Sequence, residues 1–305
     1  MAPRTSTTRS VPLDGDRVLT LDDVGEPAGA PVVFLHGTPD SRLSRHPDDG
    51  LAARAGVRLL AIDRPGYGGT SPAAGPWSPG WPRQVAADIA RALDALGIDR
   101  CSVLAWSGGA LTGAALAASA PLAGRVASLG IVAGLVPRQA YDDAAVREAG
   151  DARMGVIELA DVVAPGELGP EVAPMVAPFP CDEALAADHQ AEHRSPADAA
   201  ELATVPGAAA RLASGLVEAV RPGLEGVAAD VEAQSRPLDV DLGAIGCPVH
   251  LWYGTADVVT PPAFGRWWAA NLPDARLTVE DGAAHYLALT RWTELLTTVA
   301  RHLAP

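Results

Sequence analysis

Lysine is absent: all 23 basic residues are arginines. Schiff-base chemistry and covalent pyridoxal phosphate attachment need a lysine amine and are thereby excluded. Cysteine is scarce. Cys101, Cys181 and Cys247 are odd in number and far apart, which argues against a disulfide framework or a cysteine-bound metal. Cys101 and Cys247 adjoin apolar runs and are expected as buried free thiols. No apolar run approaches the roughly 18 residues of a membrane span. The stretch from Met1 to Arg9 lacks the apolar core of a signal peptide and is expected to fray. A cytoplasmic location is the resulting expectation. Basic stripes are missing too, because 37 acidic residues against 23 arginines give a net charge of −14. Neither nucleic acid nor an anionic membrane surface is then an expected partner.

What is present is a chain of 305 residues, 48% hydrophobic and 20% charged, long enough for one large core and an inserted subdomain. Apolar strands are expected at 18–21, 31–35, 57–62, 101–104, 126–132, 249–253 and 276–279. Between them lie helical patterns. Val85, Ile89, Leu93 and Leu96 repeat at helical spacing, and Gly97 stops the run. A last helix is expected from about His285 toward Leu303. This alternation predicts an α/β fold with a mostly parallel central sheet flanked by helices. Ligands in such sheets gather at the carboxyl ends of the strands. Residues 137–238 break the alternation. They are rich in Ala, Glu, Asp and Pro, with helical patches at 184–193 and 208–220 and no convincing strand. The expected organisation is a core of 1–136 and 239–305 with a helical cap, 137–238, inserted between the sixth and seventh core strands.

The chemistry gathers in loops after strands. Ala105-Trp106-Ser107-Gly108-Gly109 joins an apolar strand to a small-residue helix. A serine on so tight a strand-to-helix turn projects its hydroxyl beyond the sheet at a helix N-terminus, and close packing demands small neighbours. His285, in Gly282-Ala283-Ala284-His285 after the last strand, has the position of a general base. Asp257, in Gly254-Thr255-Ala256-Asp257, has that of the acid that orients the base. Asp281 is closer to His285 in sequence but is expected to cap its own turn. The order Ser107, Asp257, His285 is the chain order of a nucleophile-elbow triad. After the strand ending at Leu35, His36-Gly37-Thr38-Pro39 offers the N–H of Thr38, which with the N–H of Gly108 would make an oxyanion hole. Gly37 is expected to allow a sharp turn there. Asp63 and Arg64, in Asp63-Arg64-Pro65-Gly66-Tyr67-Gly68, are expected to hold their loop by hydrogen bonds. Trp106 is a candidate substrate contact, with Met154, Met175 and Phe179 as further apolar lining.

The remaining histidines are less telling. His36 belongs to its loop, His250 to a strand, His46 to the neighbourhood of the first helix, and His302 to a solvated terminal helix. His189 and His193, four apart, lack a third ligand, so no metal is expected, and nothing in the sequence calls for a cofactor.

Together these motifs resemble the α/β-hydrolase superfamily, over roughly residues 30–136 and 240–300. The resemblance implies a serine nucleophile, Ser107, with Asp257 and His285 completing the triad and Thr38 and Gly108 as oxyanion donors. It implies hydrolysis of an ester, thioester or lactone of a small or medium apolar molecule. The serine at 107 disfavours the carboxylate-nucleophile dehalogenases and epoxide hydrolases of the superfamily. Cofactor-free perhydrolases or haloperoxidases, aminopeptidases using Glu183, Asp188 or Glu192, and a non-hydrolytic cyclase, lyase or ligand-binding protein keep the same residues and remain alternatives. Substrate identity and oligomeric state are not written in these motifs.

Overall fold

The computed structural model describes residues 6–74, 80–150, 153–169, 171–172 and 182–303. Met175, Phe179 and Cys181 lie outside these. Eight strands form one sheet: β1 (Ser6–Pro12), β2 (Val18–Gly25), β3 (Ala30–Leu35), β4 (Val57–Ile62), β5 (Cys101–Trp106), β6 (Val126–Val132), β7 (Val249–Gly254) and β8 (Ala275–Glu280). Their spatial order is β1-β2-β4-β3-β5-β6-β7-β8. β1 and β2 pair antiparallel, as do β2 and β4, and every pairing from β4 across to β8 is parallel. The α/β architecture expected from the sequence is the one the chain adopts. β5, β6 and β7 are buried at every residue, which is why they read as largely apolar runs, each with one polar residue, Ser102, Ser128 and His250.

One expectation is corrected at the N-terminus. Ser6 to Pro12 do not fray but pair along their whole length with β2, from Ser6 opposite Val24 to Pro12 opposite Val18. Most of this edge strand is exposed, so it carries no apolar alternation to announce it.

Helices α1 (Gly50–Arg54), α2 (Trp81–Ala95) and α3 (Gly109–Ala118) precede β6. Between β6 and β7 come α4 (Ala144–Ala149), α5 (Met154–Val162), α6 (Glu183–His193), α7 (Pro196–Ala203), α8 (Ala208–Val220) and α9 (Glu225–Ser235), with no strand among the described residues. The later part of the chain adds α10 (Pro262–Asn271), α11 (Leu287–Thr290) and α12 (Trp292–Ala300). The single last helix expected from the sequence is thus two helices.

The sheet has one core on each face, and side-chain alternation along β3 divides between them. Val33 and Leu35 face the core built with α2, α3 and α10. Val32 and Phe34 face the core built with α1 and α12. Cys101 and Cys247 are free and buried as expected, and burial pushes their thiols up to about 12 and about 11. No described helix is long and apolar enough to cross a membrane.

Phe34 is fully buried and meets Trp292 of α12 edge-on, with ring centroids 5.2 Å apart. Phe34→Ala should cost about 3–5 kcal/mol, read as a lowered midpoint in denaturant unfolding.

Candidate active site

β5 ends at Trp106 and α3 begins at Gly109, so Ser107 and Gly108 turn the chain between them. Ser107 has φ 53°, a left-handed conformation that costs a side-chain-bearing residue roughly 1–2 kcal/mol. Such strain persists only where the surroundings over-determine it. Here the Ser107 N–H donates to the Val132 carbonyl (3.0 Å), and the N–H groups of Ala110 and Leu135 donate to the Ser107 carbonyl (both 3.1 Å). The neighbours leave no room for side chains. A Cβ at Gly108 would lie 2.2 Å from Thr38 Oγ1, and one at Gly37 would lie 3.1 Å from the Ser107 Cβ. Gly37 does not have positive φ, so glycine serves close approach there and not the sharp turn expected.

Three of the residues singled out from the sequence meet. Ser107 Oγ lies 3.1 Å from Nε2 of His285, and Nδ1 of the same imidazole lies 2.9 Å from Oδ2 of Asp257. They stand after β5, β8 and β7 respectively, at the carboxyl ends of parallel strands. The Asp257 side chain is fully buried and that of His285 is 13% exposed. Burial would raise the Asp257 carboxyl, but the imidazole and the hydrogen bonds it accepts outweigh that and hold it below the usual range. Those bonds come from the N–H groups of Val259 and Thr260 (2.8 Å each) and from Thr260 Oγ1 (2.6 Å). For His285, burial would lower the imidazole. The nearby carboxylates Asp257, Asp198 and Glu201 more than offset it, and its pKa lies above the ordinary value.

The main chain of His285 is held on both sides. Its N–H donates to Oδ1 of Asp198 (2.9 Å), and its carbonyl accepts from Nε1 of Trp106 (3.1 Å). Trp106, read from sequence as a substrate contact, lines the cavity and also positions the histidine. Asp198 is buried in the first turn of α7. It forms a capping box with Ser195, whose Oγ donates to Asp198 Oδ2 at 2.7 Å. Both of its oxygens are thus engaged. One turn later, burial and then the charge of Asp198 push Glu201 up to about 7.

The oxyanion candidates lie on the other side of the serine. Among the described residues, the N–H groups of Thr38 and Gly108 have no acceptor within the protein. The Thr38 hydroxyl, in contrast, is fully used. It donates to Oδ2 of Asp230 and accepts from Arg64 Nη2 (3.0 Å) and Gln234 Nε2 (2.9 Å), which leaves the main-chain N–H as what Thr38 can offer a ligand. Asp230, buried on α9, also accepts from Tyr67 Oη (2.6 Å) and from both terminal nitrogens of Arg64. Arg64 further donates to the carbonyls of His36 and Gly37. Asp63 accepts from the N–H groups of Arg42 and Gly69, so both residues hold their loops as expected.

Other candidates resolve into structure. His36 is buried, its Nε2 accepts from the Arg64 N–H, and burial, with Arg64 adding to it, keeps the imidazole well below its usual value. Asp281, expected to cap its own turn, instead accepts from the hydroxyl of Thr255 in the loop after β7, and so joins the two loops. His302 is not simply solvated, since its Nε2 lies 3.1 Å from Nε2 of His250. No metal-binding group of three is found among the described residues. Glu183, Asp188 and Glu192 do not line the cavity, and Met154 packs against the main core. Sequence reading missed Thr260, Asp198, Asp230 and Gln234. Only Thr260 left a local signal, as the hydroxyl three residues after Asp257.

A cavity of about 200 Å³ opens in front of Ser107. Gly37, Thr38, Trp106 and His285 form its floor, and His189, Arg194, Leu212 and Leu216 from the inserted helices form part of its wall.

Residues 30–291 match the sequence profile of the alpha/beta hydrolase fold family. The chain belongs to that family and is by class an α/β-fold hydrolase. It is 40% identical over 73 residues to the pimeloyl-[acyl-carrier protein] methyl ester esterase of Chromobacterium violaceum, a match spanning 24% of this chain and 28% of that protein. An alpha/beta hydrolase fold protein from Nakamurella multipartita superposes with a TM-score of 0.68 at 23% identity, covering 98% of this chain and 100% of its own. An esterase from Rhodococcus sp. ECU1013 superposes at 0.62 with 22% identity, over 98% and 100% of the two chains.

Asp230→Ala would leave the buried Arg64 guanidinium without its counter-charge. The expected cost is about 3–5 kcal/mol, measurable as a fall in the thermal or denaturant midpoint.

Proposed function

We propose that the protein is a serine hydrolase that cleaves a carboxylic ester, thioester or lactone of a small or medium molecule through an acyl-enzyme. The observation that carries this is the relay from Ser107 Oγ to His285 to Asp257, at 3.1 and 2.9 Å, on a serine held in a left-handed turn. The methyl ester esterase that shares 73 aligned residues supports the ester reading. In this reading residues 137–238 act as the cap, with 1–136 and 239–305 as the core, because helices α6, α7 and α8 contribute to the wall facing Ser107.

Ser107 Oγ attacks the substrate carbonyl carbon while Nε2 of His285 takes the hydroxyl proton. The tetrahedral oxyanion receives the N–H groups of Thr38 and Gly108. As the intermediate collapses, His285 returns the proton to the leaving alcohol or thiol and the acyl group stays on Ser107. Water then attacks the acyl carbon, again through His285 as base, and the acid is released. Asp257 fixes the tautomer with the proton on Nδ1 and stabilises the imidazolium.

Hydrolysis of p-nitrophenyl esters of increasing acyl length tests the reading. Ser107→Ala should lose a factor on the order of 10⁴ to 10⁶ in kcat. Full turnover by a folded Ser107→Ala protein would overturn it, and turnover of a natural substrate without Ser107 would point to a non-hydrolytic reaction.

The pH profile follows from the same geometry. The base works unprotonated, so kcat/KM should rise with pH through the elevated pKa of His285. Glu201→Gln removes a carboxylate that favours the imidazolium. Its acidic limb should move to lower pH, as a kcat/KM profile would show.

A further inference from the structure

Arg194 is the one arginine in the lining of the cavity before Ser107. Elsewhere the buried arginines near the site are matched to acids, as Arg42, Arg45 and Arg64 are to Asp22, Asp63 and Asp230. Arg194 has no such partner within ion-pair distance among the described residues. Its guanidinium is nevertheless held in place. Nη2 donates to Oε1 of Gln190 at 2.9 Å, and the group lies over the Tyr286 ring, 5.7 Å from its centroid. Its Nε is buried and has no acceptor among the described residues. A guanidinium held on two sides, in the lining of the same cavity as Ser107 and without a carboxylate partner among the described residues, keeps terminal donors for a ligand.

The same wall carries His189 and His193, whose rings lie 4.3 Å apart. The Nδ1 of His193 lies 2.7 Å from the His189 carbonyl and donates to it. Two acids also line the cavity. Asp198 has both oxygens engaged by Ser195 and the His285 N–H. Asp40 is buried and accepts from the Ser41 N–H, and burial pushes its carboxyl well above the usual range.

We propose that Arg194 is the anion-binding subsite of this pocket and that the preferred substrates carry a carboxylate a few carbons from the scissile ester, as half-esters of dicarboxylic acids do. The assignment rests on the serine-hydrolase reading and adds its substrate class. Arg194 lies 5.7 Å from the centroid of the Tyr286 ring, which is itself 6.0 Å from that of His285, so the guanidinium and the base are within reach of one short acyl chain. The planar fork of a guanidinium matches a carboxylate, and Arg194 has donors to offer one.

The test compares monomethyl adipate with methyl pentanoate, following acid release in wild type, Arg194→Met and Arg194→Lys. The wild type should prefer the half-ester. In Arg194→Met the ratio of the two kcat/KM values should fall about ten- to hundredfold, chiefly through KM for the charged ester. Arg194→Lys should keep part of the preference. Because the neutral ester is measured in each protein, partial misfolding cancels from the ratio. Ser107-dependent hydrolysis of methyl pentanoate reports separately on the serine-hydrolase reading. Calorimetric binding of free adipate, which needs no turnover, should weaken in Arg194→Met. An unchanged ratio in Arg194→Met, or adipate binding that is equally weak in wild type and variant, would overturn the subsite.

Discussion

The left-handed backbone at Ser107 is the constraint from which the rest of the site follows. A serine at φ 53° cannot continue β5 or join α3, so its hydroxyl stands clear of both. The cost of roughly 1–2 kcal/mol is offset by three backbone hydrogen bonds, one closing the turn onto α3 and two that lock it to β6 and the segment after it. The same turn dictates its surroundings. Only a residue without a side chain fits at Gly108, because Thr38 is already there, and only glycine at Gly37 brings the loop after β3 so close to the serine. Two unspent N–H groups therefore end up beside the nucleophile as a by-product of sterics.

The inserted helices are part of this machinery and not merely a cover. Asp198 reaches from α7 to the main chain of His285, and Asp230 reaches from α9 to the hydroxyl of Thr38. Each carboxylate ties one loop of the core to a helix that lies between β6 and β7. Buried charges of this kind add little net stability over an apolar replacement, yet losing one partner is costly. The arrangement thus favours a single geometry for both His285 and the loop of Thr38. It also couples any displacement of these helices to the two groups that flank the serine.

The legibility of the site divides along the same line. Ser107 and Asp257 could be read from sequence because each follows a buried, largely apolar strand, and His285 because it follows the shorter alternating run of β8 in a Gly-Ala-Ala-His loop. The α/β order and helices α6 and α8 were legible for a similar reason, strong local periodicity. Asp198 and Asp230 were not, since their partners lie 87 and 192 residues away and the insertion offers many equivalent acids. Strand β1 escaped notice because an exposed edge strand is specified by its partner β2 more than by its own residues. Arg194 was invisible as well. Its distinction is the absence of an ion-pair partner among the described residues, and pairing is a property of the fold.

An acid-rich chain places the imidazole of His285 among carboxylates, and in the proposed role of general base this has two opposed consequences. Asp257, Asp198 and Glu201 strengthen His285 as a base by favouring its proton. They also withhold the unprotonated form until higher pH, and a base acts only in that form. Glu201 moderates the conflict. Pushed up to about 7 by burial, it takes a proton itself as the medium acidifies. Once neutral, it no longer favours the imidazolium, so the affinity of His285 for its proton falls as the proton concentration rises. A carboxylate on the inserted helices thereby favours the imidazolium of His285 less as the pH falls.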